Sequence, residues 1–304
     1  MYEPFFGLKE LPFTLTPDTG FLYRHSRQQC VVNELLMGLK SGEGFLSVVA
    51  EVGSGKTLLC RELLELLPVD WVSVYLPNPL LTSAELYLHI ARELSISDKH
   101  GHTLTEIQQQ IFERLVEIHA AGGQTVILLD EAQAMPQQTL EALRLLSNLE
   151  TEKNKLLQVV FFAQPEFEKR LTQHNLRQLQ QRITFTFYLD PISLDEVDGY
   201  LTHRLSKAGY NGPRLFSSAA MHKIWRSSGG CPRLINILAH KSMLVAYGRG
   251  ERKISTSQVR AAIADTASIA SGGVFGSSLV PFGVGLCSTL ALALVFIFLL
   301  RGPG

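Results

Sequence analysis

A glycine-rich turn, Gly53-Ser54-Gly55-Lys56-Thr57, follows the apolar run Phe45-Leu46-Ser47-Val48-Val49 and opens onto Leu58-Leu59-Cys60-Arg61-Glu62-Leu63-Leu64. Read as strand, loop and helix start, this order builds a polyphosphate site, because loop amides and the positive helix end both face an anion. The amides of Val52–Thr57 would line an anion nest. Gly53 and Gly55 let the backbone turn sharply and come close to phosphates. Lys56 would reach the β- and γ-phosphates as a point charge, and the Thr57 hydroxyl would take one position on Mg²⁺. The expected nucleotide-binding set is Ala50, Glu51, Val52, Gly53, Ser54, Gly55, Lys56, Thr57 and Leu58. Ala50 stands where the pattern G-x-x-x-x-G-K-[ST] begins with Gly; a small side chain fits there if φ is negative.

A second anchor is Val126-Ile127-Leu128-Leu129-Asp130-Glu131, an apolar strand ending in two acids. Ligands of open α/β sheets bind at that carboxyl edge. Asp130 would hold Mg²⁺ through its water shell, and Glu131 would act as general base on the attacking water. Two acids ending a strand also describe a solvated strand end; the phosphate-type loop one strand–helix unit earlier makes the reading specific. Gln164, just past the run Leu156–Phe162, faces the γ-phosphate if that strand lies between the Lys56 and Asp130 strands; capping of the next helix is its other reading. Arg177 and Arg182 precede the fifth strand, and Arg182 is the better placed to project onto a neighbouring subunit's γ-phosphate. Arg233, in Gly230-Cys231-Pro232-Arg233, starts a helix with Pro in its first turn and is placed to touch nucleotide within its own chain. A solvated surface arginine is the plain alternative for each.

Positioning these residues requires alternating strands and helices. The pattern predicts helices over Ser26–Leu39, Leu58–Leu67, Ser83–Leu94, Leu104–Ala120, Gln138–Leu149 and Glu166–Leu171. It predicts strands over Phe45–Val49, Trp71–Leu76, Thr125–Leu129, Leu156–Phe162 and Thr184–Leu189. That alternation gives right-handed crossovers and a three-layer αβα sandwich on a parallel five-stranded sheet. From Asp190 onward the pattern turns all-helical: Leu194–Ala208, Ser218–Ser227, Pro232–Tyr247 and Thr256–Thr266. The aromatic- and proline-rich residues 1–25 read as an extension packed on the core, with Phe21 and Tyr23 either packing there or near an adenine.

Length and composition narrow the function. The chain's 304 residues suit about two domains. Lys+Arg and Asp+Glu are both 28, so no net positive field attracts nucleic acid. The four cysteines form no C-x-x-C, which argues for reduced thiols rather than zinc or disulfides. His100 and His102, in a polar loop, read as solvated. No secretory leader is expected at Met1–Glu10. No charged residue occurs from Thr266 to Leu300, and Val280–Leu300 reaches the roughly 20 residues that a membrane-spanning helix needs. Arg252, Lys253 and Arg260 before it, against a lone Arg301 after it, favour a cytoplasmic body.

Together Phe45–Thr57, Val126–Glu131, Gln164, Arg182 and Gly230–Arg233 resemble an AAA+ ATPase, a P-loop NTPase class. Tyr2, Phe5-Phe6-Gly7-Leu8, Pro12-Phe13, Thr16-Pro17-Asp18, Phe21-Leu22-Tyr23, Asp130-Glu131-Ala132-Gln133, Gln164-Pro165-Glu166 and Leu179-Gln180-Gln181-Arg182-Ile183 carry the likeness to the ExeA/GspA family of general secretion pathway ATPases. Within it the likeness leans to the ATPases of mannose-sensitive haemagglutinin (MSHA) type IV pilus biogenesis. Ala50 and Ala163 depart from the family's usual Gly. The resemblance implies the divisions 1–44 N-terminal extension and helix, 45–190 nucleotide-binding α/β domain, 191–266 α-helical lid, 267–279 linker, 280–300 transmembrane helix and 301–304 tail. It implies a self-associating ATPase that binds ATP and Mg²⁺ and acts on pilus or secretion components at the bacterial inner membrane. Longer members add a peptidoglycan-binding domain, an activity not expected of this sequence. A nucleotide-gated scaffold with little turnover and a DNA-transposition ATPase are the competing readings.

Overall fold

Side-chain alternation along the strands decides which helices lie on which face of the sheet. In the computed structural model, which describes residues 1–23, 26–96, 103–150 and 155–266, the chain runs in order through these elements. They are α1 (Glu3–Phe6), α2 (Ser26–Lys40), β1 (Phe45–Val49), α3 (Lys56–Leu66), β2 (Val72–Leu76), α4 (Ser83–Glu93), α5 (Leu104–Ala120), β3 (Thr125–Leu129), α6 (Gln137–Leu146), β4 (Leu157–Ala163), α7 (Pro165–Leu171), α8 (Arg177–Gln180) and β5 (Ile183–Tyr188). Four helices follow: α9 (Leu194–Lys207), α10 (Ser218–Ser228), α11 (Pro232–Gly248) and α12 (Thr256–Ala264). The strands form one parallel sheet in the order β2-β3-β4-β1-β5. The parallel five-stranded α/β expectation therefore holds, and β4 does lie between β1 and β3.

Ile127 and Leu129 of β3, with Phe45, Val159 and Phe161, face α4, α5 and α6 through residues such as Leu86, Ile111 and Leu143. Their neighbours Val126, Leu128, Leu46, Val48, Val160 and Phe162 face α2 and α3, where Val31, Leu35, Leu59 and Leu63 meet them. Both faces of β3 are thus covered, so its apolar run has no polar side. Each such side chain, once buried, contributes about 1.5–3 kcal/mol. Helix starts are written into the sequence: α4, α5, α9 and α12 open on capping boxes at Thr82/Glu85, Thr103/Glu106, Ser193/Glu196 and Ser255/Gln258.

Most element ends fall within two residues of expectation, and two of the differences have a visible physical reason. Helix α6 stops at Leu146 rather than Leu149, because Ser147 turns its hydroxyl back onto the Arg144 carbonyl at 2.7 Å. Strand β5 begins one residue early, at Ile183; as the sheet edge it leaves Phe185 and Tyr188 half exposed, so burial does not mark its boundary. The expected linker 267–279, membrane segment 280–300, tail 301–304 and the His100–His102 pair lie outside the described residues. Among the described residues, no helix is long and apolar enough to cross a membrane.

The N-terminal extension, expected to pack on the core, packs on the helical region. Tyr2 is buried, and its hydroxyl pairs with His240 Nδ1 on α11 at 2.9 Å. Arg204 of α9 donates to the Pro12 carbonyl at 2.7 Å, with its guanidinium over the Phe21 ring. Tyr23 packs edge-on against Tyr200 and tilted against His203. Burial pulls the His203 and His240 imidazoles below the ordinary histidine range. The unfolded chain, with histidines near about 6.5, therefore takes up protons first as acid is added, and stability falls as the pH drops below that value. Thermal unfolding should show Tm decreasing between pH 7.5 and 5.5 and a flatter profile in His203→Gln/His240→Gln. A wild-type Tm constant over that range would refute the assignment.

Candidate functional site

Three adjacent strand ends supply the site. The loop after β1 carries Ala50–Thr57, β3 ends at Asp130-Glu131, and β4, lying between those two strands, ends at Gln164. Asp130 still donates its amide to Leu76 at 3.0 Å, and Ala50 to Ala163 at 3.0 Å, so the sheet ladder holds both loop starts rigid.

The loop geometry follows from its glycines. Gly53 has φ +81°, and a Cβ there would meet the Arg233 Cβ at 2.6 Å, so only glycine lets α11 approach. The first bond within α3 is Leu59 N–H to Gly55 at 3.0 Å. The amides of Lys56, Thr57 and Leu58 ahead of it thus have no helical carbonyl to reach, which leaves donors for an anion. Ser54 N–H is directed to the Glu51 carbonyl at 3.3 Å, while the buried Ser54 hydroxyl has no partner. An orphaned polar atom of this kind in the loop fits a phosphate oxygen.

Lys56 is 4% exposed and donates to the carbonyls of Ala50 and Glu51 at 2.7 and 2.9 Å. Burial pulls its ammonium below the ordinary lysine range, while Glu131 and Asp130 push it back up. The Thr57 hydroxyl donates to Asp130 Oδ2 at 2.7 Å, and Asp130 Oδ1 accepts the Glu131 amide at 2.9 Å. Burial raises the Asp130 carboxyl against those two hydrogen bonds. A hydroxyl and a carboxylate, both hard oxygen donors in direct contact, suit Mg²⁺, which binds through one or two carboxylates plus phosphate oxygens. A cation and a carboxyl both driven toward neutrality mark a place built for charged ligands.

Gln164 lies against Glu131: its Nε2 donates to Glu131 Oε2 at 2.9 Å, and the side chain makes no cap bond to α7. The capping alternative is therefore not what the side chain does. Arg233 donates its amide to the Gly53 carbonyl at 3.2 Å and lines the cleft. The cleft, 220 Å³, is also lined by Thr14–Pro17, Tyr200, Arg204 and Asn236. Phe21 and Tyr23 pack on α9 instead, so the extension reaches the cleft through Thr14–Pro17, held by Arg61 Nη1 on the Pro17 carbonyl at 2.8 Å. Arg182 is elsewhere. It precedes Ile183, which pairs with Phe45 at the amino edge of the sheet, about 15 Å of strand away from the loop. There it donates to the Ser147 hydroxyl at 2.9 Å, and Arg177 is exposed nearby.

Reasoning from sequence did not single out Tyr200 and Asn236, joined by a 2.8 Å hydrogen bond, or Arg204. Asn236 follows Arg233 by one helical turn, the signal that would have found it.

Residues 39–171 match the AAA domain family, a stretch that holds the loop, the acid pair and strands β1 to β4. The chain is homologous to general secretion pathway protein A of Aeromonas hydrophila, 39% identical over 293 residues, covering 96% of this chain and 53% of that protein. It thus spans about half the length of that curated relative. Among solved structures, Cdc6p of Pyrobaculum aerophilum superposes with TM-score 0.61 at 20% identity, over 82% of this chain and 71% of that one. The ORC2 protein of Aeropyrum pernix, solved as ADPNP–ADP complexes, gives 0.59 at 15% identity, over 82% and 72%. The RuvB Holliday junction branch migration motor of Thermotoga maritima gives 0.52 at 15%, over 78–79% of this chain and 69% of that one. These three bear on the fold alone.

Proposed function

We propose that this chain is a membrane-anchored ATPase that hydrolyses ATP with Mg²⁺ and helps to assemble an MSHA-like type IV pilus or a type II secretion machine at the bacterial inner membrane. The observation that carries the reading is the convergence of Lys56, Thr57, Asp130, Glu131 and Gln164 on three neighbouring strand ends. The secretion role rests on the general secretion pathway relative, and the membrane anchor on the uncharged stretch 280–300.

Each residue has a part derived from its place. Lys56, already desolvated, exchanges two carbonyl partners for phosphate oxygens. Thr57 and Asp130 hold Mg²⁺, which would neutralise charge developing on the phosphates. Glu131 takes the proton of the attacking water. Gln164 orients that water and reads the γ-phosphate. Arg233 contacts the nucleotide from α11, linking its state to the helical region, which acts as a lid. Arg182, at the far sheet edge of its own chain, serves a neighbouring copy's site, and this requires self-association.

Purified protein should show Mg²⁺-dependent ATP hydrolysis, and crosslinking in native membranes with ATP should recover pilus or secretion components. Recovery of the chain alone would remove the assembly role. Negligible turnover with intact ATP binding would favour the nucleotide-gated scaffold, which the side-chain clamp on Glu131 would suit.

A further inference from the structure

Glu131 is left-handed, at φ +53°, an unusual conformation for a residue with a side chain. Left-handed geometry at that position folds the chain into the tight turn Ala132–Ala134, with Ala134 N–H on the Glu131 carbonyl at 2.9 Å. The turn brings Gln133 back beside Glu131. Three different groups of Gln133 are then engaged. Its Oε1 accepts the backbone N–H of Gln164 at 3.0 Å. Its Nε2 donates to Glu131 Oε2, the same oxygen that takes the Gln164 amide. Its main-chain carbonyl accepts from Arg170 of α7, which also donates to the Met135 carbonyl at 2.9 Å.

The orientation of the Gln133 amide is dictated by chemistry. A backbone N–H must meet oxygen, so the other end facing Glu131 is NH₂, a donor suited to a carboxylate. We propose that Gln133 is the positioning residue of the hydrolytic step: it fixes Glu131 Oε2 and the start of the Gln164 segment at once, leaving Glu131 Oε1 as the oxygen that meets the attacking water. This rests on the ATPase reading above. When the Gln164 side chain turns to a γ-phosphate, Glu131 loses one of its two amide donors, and Gln133 alone keeps the carboxylate aimed. Arg170, anchored on the carbonyls at both ends of the following turn, keeps Gln133 from drifting. Gln133 itself touches no substrate; it acts through Glu131.

The test compares Gln133→Met, close in shape but without the amide, with Gln133→Glu, which keeps an oxygen for the Gln164 N–H and sets a carboxylate against Glu131. Both should lower kcat at least about 10-fold, less than the roughly 10²–10⁴-fold of general-base catalysis because Glu131 itself remains, with KM for ATP changed less than about twofold. In a Glu131→Gln background, Gln133→Met should add no further loss in single-turnover hydrolysis, because the two act as a unit. An unchanged kcat, a KM rising in step with the loss, or full additivity would each overturn the proposal. A readout independent of turnover is amide hydrogen exchange: the Gln164 N–H should be protected in the wild type and exposed in Gln133→Met. A wild type without turnover but with that exchange pattern defeats the ATPase reading while keeping the Gln133 contact. An unprotected wild-type Gln164 N–H defeats the Gln133 proposal itself.

Discussion

Replacing Lys56 with Ala should weaken ATP binding by about 100-fold or more, the loss of a charge-assisted contact of roughly 3 kcal/mol in a desolvated site. The reasoning begins with the free protein. Lys56 is buried, and burial works against its charge; loop carbonyls and the carboxylates of Glu131, Asp130, Glu51 and Glu166 offset that. Removing the ammonium therefore relieves a desolvated cation as well as deleting two hydrogen bonds, and the free protein should unfold within a few degrees of wild type. The deficit appears with ligand. Wild-type Tm should climb as MgATP is raised, since a ligand bound only by the folded state stabilises by RT ln(1 + [L]/Kd). Lys56→Ala should show almost no climb at the same concentrations. Equal shifts in both proteins would mean that this lysine does not meet the phosphates.

Glu131→Gln should separate binding from turnover. General-base catalysis contributes typically about 10²–10⁴-fold, so kcat should fall by that factor while ATP affinity is kept. The structure explains why geometry survives the change. Glu131 Oε2 is an acceptor for two amides, and the carbonyl oxygen of a glutamine at this position accepts the same two hydrogen bonds. What it cannot do is take a proton from water. Radiolabelled ATP in a single-turnover assay would measure the residual rate. A variant as active as wild type would remove Glu131 from the chemistry.

The sequence made some of this legible and hid the rest for identifiable reasons. Strands β1 and β3 were readable to the residue because both faces are buried and all their side chains but Ser47 and Thr125 are apolar. The nucleotide loop and the Asp130-Glu131 pair were readable because each lies within one continuous segment whose residue types are demanded by the chemistry. Strand order was a conditional statement until β4 was seen to pair with both β1 and β3. Gln133 sat inside a quoted motif, yet its role depends on a left-handed residue before it and on Gln164, 31 positions away. Thr14–Pro17 could not be placed at the cleft, because the residues that pin its flanks, Arg61 and Arg204, belong to α3 and α9. Contacts of that span leave no periodicity in the chain. The short helix α8 was missed for the opposite reason, being too brief to show any.

The seam between Gly53 and Arg233 has a mechanical side. Helix α11 is 17 residues long, about 25 Å at 1.5 Å per residue, and its first turn rests on the loop through the Arg233 amide and through contact with a residue lacking Cβ. A pivot of about 10° at that hinge would displace the distal tip by roughly 4 Å, given that length. The fulcrum is the same stretch of backbone that Lys56 follows by three positions. A sub-ångström adjustment around a bound triphosphate would thereby be geared up to a stroke the size of a side chain at Tyr247 and Gly248, where Phe5 of the N-terminal extension leans on the Tyr247 ring.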